Sequence, residues 1–216
     1  MSTSNQSLYR FSGSALCLAG LIVFLINLIF TPQILAIESF AASAASSAWA
    51  WRLGFASFNG ILLLLASVGI YIWYREKQTT GSLSLLLLAS LIIGNAMLLA
   101  HEWNQFLFVR DLAINFPETL EQLEDLEGFT LFDLSAAIGV GLFFFGWLIA
   151  VILLWKGKVF GRNGSILILL GLISSPLLAA VLPIVYAGII SSAFLGLGWF
   201  LLGRALLTAG KTVRTN

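Results

Sequence analysis

The chain has 216 residues, 59% of them hydrophobic and only 10% charged, with a formal net charge of +1. So much apolar surface exceeds what one soluble core of this length can hide, which excludes a soluble globular domain and predicts an all-α integral membrane protein. A single cysteine, Cys17, excludes a disulfide framework or a thiol-based metal site, and the balanced charge gives no footing for a nucleic-acid partner.

Taken in order, the apolar run after Arg10 is longer than the core of a secretory signal. It is expected to be retained as a first span over residues 12–35, carrying Asn27 and Pro32 in its second half. Residues 37–53 are rich in Ala and Ser and contain Trp49, Trp51 and Arg52; they predict a separate helix lying at the headgroup level. A second span follows over 54–74, then a short polar turn and a third span over 81–100.

Residues 101–133 form the one long polar block and hold the single histidine and eight of the ten acidic residues. Within the outer segment 101–130, Asn115 followed by Glu118 predicts a capped helix over 116–128, with Leu120, Leu123 and Leu126 along its apolar edge. Thr130 and Asp133 repeat the capping pattern and open a fourth span over 131–155. From Ser165 to Gly203 no charge occurs for 39 positions, nearly twice the ~20 residues that one crossing needs. A break at Pro183 divides this stretch into spans over 164–182 and 184–202.

Six spans allow a test of orientation, because short loops keep Lys and Arg on the cytoplasmic side. With both termini inside, the inner face holds Arg10, Arg75, Lys77, Lys156, Lys158, Arg162, Arg204, Lys211 and Arg214 against one acid, Glu76. The outer face keeps Arg52 and Arg110 beside nine acids. The reading is one membrane domain over 1–216: a six-helix bundle in the plasma (inner) membrane, with cytoplasmic termini and two outer amphipathic segments.

Arg52-Leu53-Gly54-Phe55-Ala56 at the head of the second span and Leu142-Phe143-Phe144-Phe145-Gly146-Trp147 in the fourth, followed by the glycines at 161 and 171, carry a resemblance. The chain resembles a family of small six-span bacterial membrane proteins catalogued as a domain of unknown function. It departs from that pattern in the length and acidity of its third connection. The resemblance implies a fold and no activity.

Small residues recur every four positions at Gly171, Ser175, Ala179 and at Gly188, Ser192, Gly196. Such rows let helix backbones approach closely, either within the bundle or at a subunit interface. Ser174-Ser175-Pro176 predicts a bend whose freed carbonyl the serines serve. The tryptophans predict two belts, Trp49, Trp51 and Trp103 against Trp73, Trp155 and Trp199, with Trp147 packed deeper.

Asn27, Asn59 and Asn95 are the strongly polar residues inside the first three spans, all toward the outer face, with Glu38, His101 and Glu102 above them. They define a candidate polar cavity, with interhelical hydrogen bonding as the plainer role. His101-Glu102 lacks the second histidine of a zinc-protease helix, and no cofactor is implied. Glu118, Glu121, Glu124, Asp125 and Glu127 form either a partner surface or a solvated face.

Three functions compete. The leading expectation is a non-enzymatic structural subunit or binding and sensing component, with the bilayer as one partner and a protein as another, met at the acidic cap or the small-residue rows. The second is a carrier or binder of a small neutral or lipid-like solute through an outward-facing cavity. The third is an enzyme at the outer interface using His101, Glu102 and Glu38.

Overall fold

A computed structural model describes residues 3–78, 81–124 and 131–209, and all regular structure among them is helical. The helices are α1 (Thr3–Leu35), α2 (Phe40–Ala45), α3 (Ser47–Lys77), α4 (Gly81–Asn104), α5 (Arg110–Asn115), α6 (Pro117–Glu124), α7 (Leu131–Lys156), α8 (Arg162–Ala179) and α9 (Ile184–Ala209). Six stretches are long and apolar enough to cross a membrane, including one unbroken 35-residue helical run, Gly81–Asn115. The chain is an integral, multi-pass, all-α membrane protein.

The crossings pack as a ring in the order α1, α3, α4, α7, α8, α9, and α9 returns to lie along α1; α7 meets α8 only lightly. The glycines make the closure between first and last helix. A Cβ on Gly196 would collide with the Gly20 carbonyl oxygen, and one on Gly203 would press on the Gly13 carbonyl and Cys17. Only residues without a side chain permit such backbone approach in lipid, where burial of apolar surface gives no drive. Gly171 in turn admits Leu195 of α9 against α8. Thus Gly171 and Gly196, one from each small-residue row, serve packing within the bundle, whereas the approach of Gly13 and Gly20 to α9 is not apparent from the rows.

Several connections put the charged residues at opposite ends. At the start of α1, Asn5 Nδ2 and the Tyr9 hydroxyl donate to the two Glu76 oxygens at the end of α3 (2.7 and 2.6 Å). Gln78 Nε2 donates to the Gly157 carbonyl just past α7 (2.7 Å), in a return where Lys158 adopts the left-handed region at φ 53°. Arg10, Arg75, Lys77, Lys156, Lys158 and Arg162 therefore share one end of the bundle, and Arg52, Glu102, Arg110, Glu118 and Glu121 the other.

The elements differ from expectation in instructive places. The segment 37–53 is not one interfacial helix: it divides at Ser46, whose extended backbone (φ −65°, ψ 155°) and hydroxyl, accepting from Trp49 N, start α3 seven residues ahead of the expected span. The first helix likewise starts at Thr3, because Asn5 and Tyr9 are anchored to Glu76. The third span does not stop at residue 100; α4 runs on through a π-helical turn, Gln105–Val109, closed by the Arg110 N–H donating to the Gln105 carbonyl. Asn115 does not cap α6, since its amide donates to Asp111 within α5 (2.8 Å). The break falls instead at Phe116 (φ −141°, ψ 55°), and Pro117, with no N–H to satisfy, leads α6.

Of the expected apolar edge, Leu120 is buried against Ala41, Ala44, Val109 and Ala113, Leu123 is exposed, and Leu126 lies outside the described residues. Thr130, the partner assigned to Asp133, also lies outside them. The helix α8 continues through Pro176 to Ala179, and Ser174 bonds across to Ser191 of α9 (2.8 Å). The chain does break at Pro183, as the uncharged run suggests. Trp73 and Trp199, expected at the headgroup level, are buried within the bundle at 4% and 1% exposure, as is Trp147.

Candidate functional site

Of the three asparagines, two share a site. Asn27 of α1 and Asn59 of α3 line a narrow crevice of about 120 Å³ at the acidic end, together with Arg52, Glu102 and Trp199. Apolar side chains of α1, α3, α4, α7 and α9, among them Ile26, Leu63, Leu98, Phe143 and Leu195, complete its walls. Arg52 to Leu63 is eleven residues of α3, about 16 Å of helix at ~1.5 Å per residue, so the crevice reaches well into the membrane.

At its mouth Arg52 Nη1 and Glu102 Oε2 stand 4.0 Å apart, the side chains 29% and 12% exposed. That is ion-pair distance but too long for a hydrogen bond. Glu102 Oε2, Asn59 Oδ1 and Trp199 Nε1 are all buried with no hydrogen-bond partner among the described residues. Each such atom costs about 1–3 kcal/mol when left unsatisfied, and the residues that carry these three line the crevice from three helices. Asn27 is partly spent locally, its amide donating to the Val23 carbonyl (2.9 Å) and its Oδ1 accepting from Thr31 (3.2 Å).

Asn95 belongs elsewhere. It is fully buried, donates to Ser67 Oγ (3.2 Å) and accepts from Trp147 Nε1 (3.0 Å), the interhelical role that was its plainer reading. Trp147 in turn lies against Trp199, ring centroids 5.2 Å apart, and Phe143 meets Trp199 edge-on at 6.1 Å. Phe143 and Trp199 of this aromatic group line the crevice, while Trp147 carries the bond to Asn95.

The remaining candidates separate too. Glu38 is exposed. His101 is buried with its Nε2 2.7 Å from Gln105 Nε2, one turn on at the start of the π-helical turn, and its Cβ stands against Gly139 of α7. Among the described residues no three His, Cys, Asp or Glu side chains are grouped so as to hold a metal ion. Glu118 is exposed, Glu124 belongs to the last turn of α6, and Asp125 and Glu127 lie outside the described residues.

Glu121 is committed within the chain: its Oε1 accepts from the Ser39 hydroxyl (2.6 Å) and from the Ala41 N–H (2.8 Å) at the start of α2. The Ser39 bond first, then the backbone bond, hold its carboxyl below the usual carboxylate range.

Sequence reasoning overlooked Arg52 and Trp199. Arg52 carried a signal, being one of two basic residues on the acidic side; Trp199 read as an interfacial anchor because hydropathy cannot tell a core indole from a belt indole. A second concavity of about 600 Å³ runs along α1 and α9 past Leu18, Leu21, Phe24, Leu197 and Phe200. Its apolar walls suit lipid tails.

Fold and site together define a polytopic helical membrane protein with a narrow crevice that carries Arg52 and Glu102 at one end. Comparison with family profiles, with curated proteins and with solved structures returned no match to this chain.

Proposed function

We propose that the protein is a non-enzymatic membrane component that binds a small polar solute in the crevice between α1, α3, α4 and α9. The face carrying α6 is taken as extracytoplasmic, because basic residues gather at the other end and short loops retain them inside. The observation that carries the reading is the gathering of Arg52, Glu102, Asn27 and Asn59 along one crevice, with Asn59 Oδ1 and Glu102 Oε2 lacking a hydrogen-bond partner among the described residues. Polar groups at membrane depth are costly and mark binding sites by default.

The volume limits the ligand. At about 120 Å³ the crevice lies far below the ~300 Å³ at which sites for drug-sized ligands begin. A lipid-like solute does not fit; a small polar molecule of a few non-hydrogen atoms does.

The test uses the full chain in nanodiscs of deuterated lipid and saturation-transfer NMR with ¹³C-labelled acetamide, glycine and glycerol. At least one should give a transfer signal that Ala56→Phe, which fills the crevice, abolishes while the melting profile stays cooperative. The reading fails if none gives a signal, or if the signal survives the filling, in which case the crevice holds water or nothing.

A further inference from the structure

Building on that reading, we infer that Arg52 and Glu102 form a dipolar recognition pair at the mouth of the crevice, matched to a zwitterion of about glycine's size. The pair is held apart. At 4.0 Å, the guanidinium and the carboxylate attract without a hydrogen bond, and Glu102 Oε2 accepts none from any described residue. A carboxylate nine-tenths buried in this way is an acceptor waiting for a donor, and Arg52 beside it has guanidinium N–H groups directed by a rigid fork.

Charge balance narrows the class of ligand. The two side chains nearly cancel each other, and the polar groups below them, on Asn27, Asn59 and Trp199, carry no net charge. A simple anion would find Arg52 but meet Glu102; a simple cation would find Glu102 but meet Arg52. A molecule carrying an ammonium and a carboxylate a few ångströms apart satisfies both and brings no net charge into a low-dielectric space. The narrowness of the crevice and its aromatic lining of Trp199 and Phe143 leave no room for a large substituent, which favours the smallest such compounds.

The decisive comparison is a ranking on the unaltered chain in nanodiscs, by saturation-transfer NMR and competition: glycine, N,N,N-trimethylglycine, acetate, methylammonium and acetamide. Glycine should bind at least about tenfold more tightly than acetate or methylammonium, each of which meets only half of the pair. Trimethylglycine, which keeps both charges but has no N–H for Glu102, should fall behind glycine by a similar factor. Glu102→Gln, which is isosteric, and Arg52→Gln, which shortens the side chain and removes its charge, should each abolish the preference for glycine over acetamide. If either variant fails to yield a monodisperse sample, the ranking on the native chain decides alone.

Acetamide bound as tightly as glycine would overturn the zwitterion assignment and leave the crevice reading standing. A glycine preference that persists in both variants would overturn the roles given to Arg52 and Glu102. Silence from every compound would remove the crevice reading itself, and this inference with it.

Discussion

Trp147 has one polar atom, and the bundle uses it. Its indole N–H donates to Asn95 Oδ1 (3.0 Å) while the Asn95 amide donates to Ser67, so α3, α4 and α7 are tied at a buried point. Trp147→Phe keeps the aromatic packing and leaves the asparagine oxygen without this donor. We expect the variant to lose about 1 kcal/mol, measured as a reduced unfolding free energy in mixed micelles. No loss would show that Asn95 finds another donor. The three asparagines looked alike in the sequence because their depth can be counted from the helix ends but their rotation about the helix axis cannot. Neighbouring helices decide which faces which: Asn59 meets the crevice, and Asn95 meets Ser67 and Trp147.

At the scale of elements, the outer cap is a latch. Leu120 of α6 fills the apolar seat made by Ala41, Ala44, Val109 and Ala113, and Glu121 bonds Ser39 and Ala41 at the start of α2. Because the Glu121 carboxyl titrates lower in the folded chain than in an unfolded one, its contribution is complete above the ordinary carboxylate range. It is lost as pH falls through the lowered value. The protection factors of amides 117–124, which correct for the intrinsic slowing of exchange in acid, should therefore fall on acidification, and Glu121→Gln should flatten that dependence; identical pH profiles would show that another group governs the latch. The amphipathic stretch itself was readable from its leucines and carboxylates. Its boundaries were not: Asn115 has the chemistry of a cap but finds Asp111 one turn back, and Ser46, unremarkable among its neighbours, divides α2 from α3.

For the whole molecule, composition was decisive. The absence of charge from 165–203 required two crossings, and the segregation of Lys and Arg required an even number overall; six membrane-length helices answer both. The ring order was hidden, since hydropathy gives spans but not neighbours, and the glycines of α1 gave no periodic row to announce their contact with α9. The opposite-ends arrangement leads to a prediction of sidedness. In a Cys17→Ala background, a membrane-impermeant maleimide added to intact cells should modify Glu118→Cys and spare Lys158→Cys until the membrane is opened. The reverse pattern would turn the crevice toward the cytoplasm.

The meeting of Gly13 and Gly20 with Gly203 and Gly196 has a bearing on biogenesis. The helix carrying Gly13 and Gly20 is threaded into the bilayer long before its glycine-lined face has anything to rest on, since α9, which covers it, is made well after it. Assembly of this bundle is thereby deferred until α9 has been made, and a chain cut short before residue 184 would present an unclosed seam to whatever machinery surveys the membrane for incomplete products.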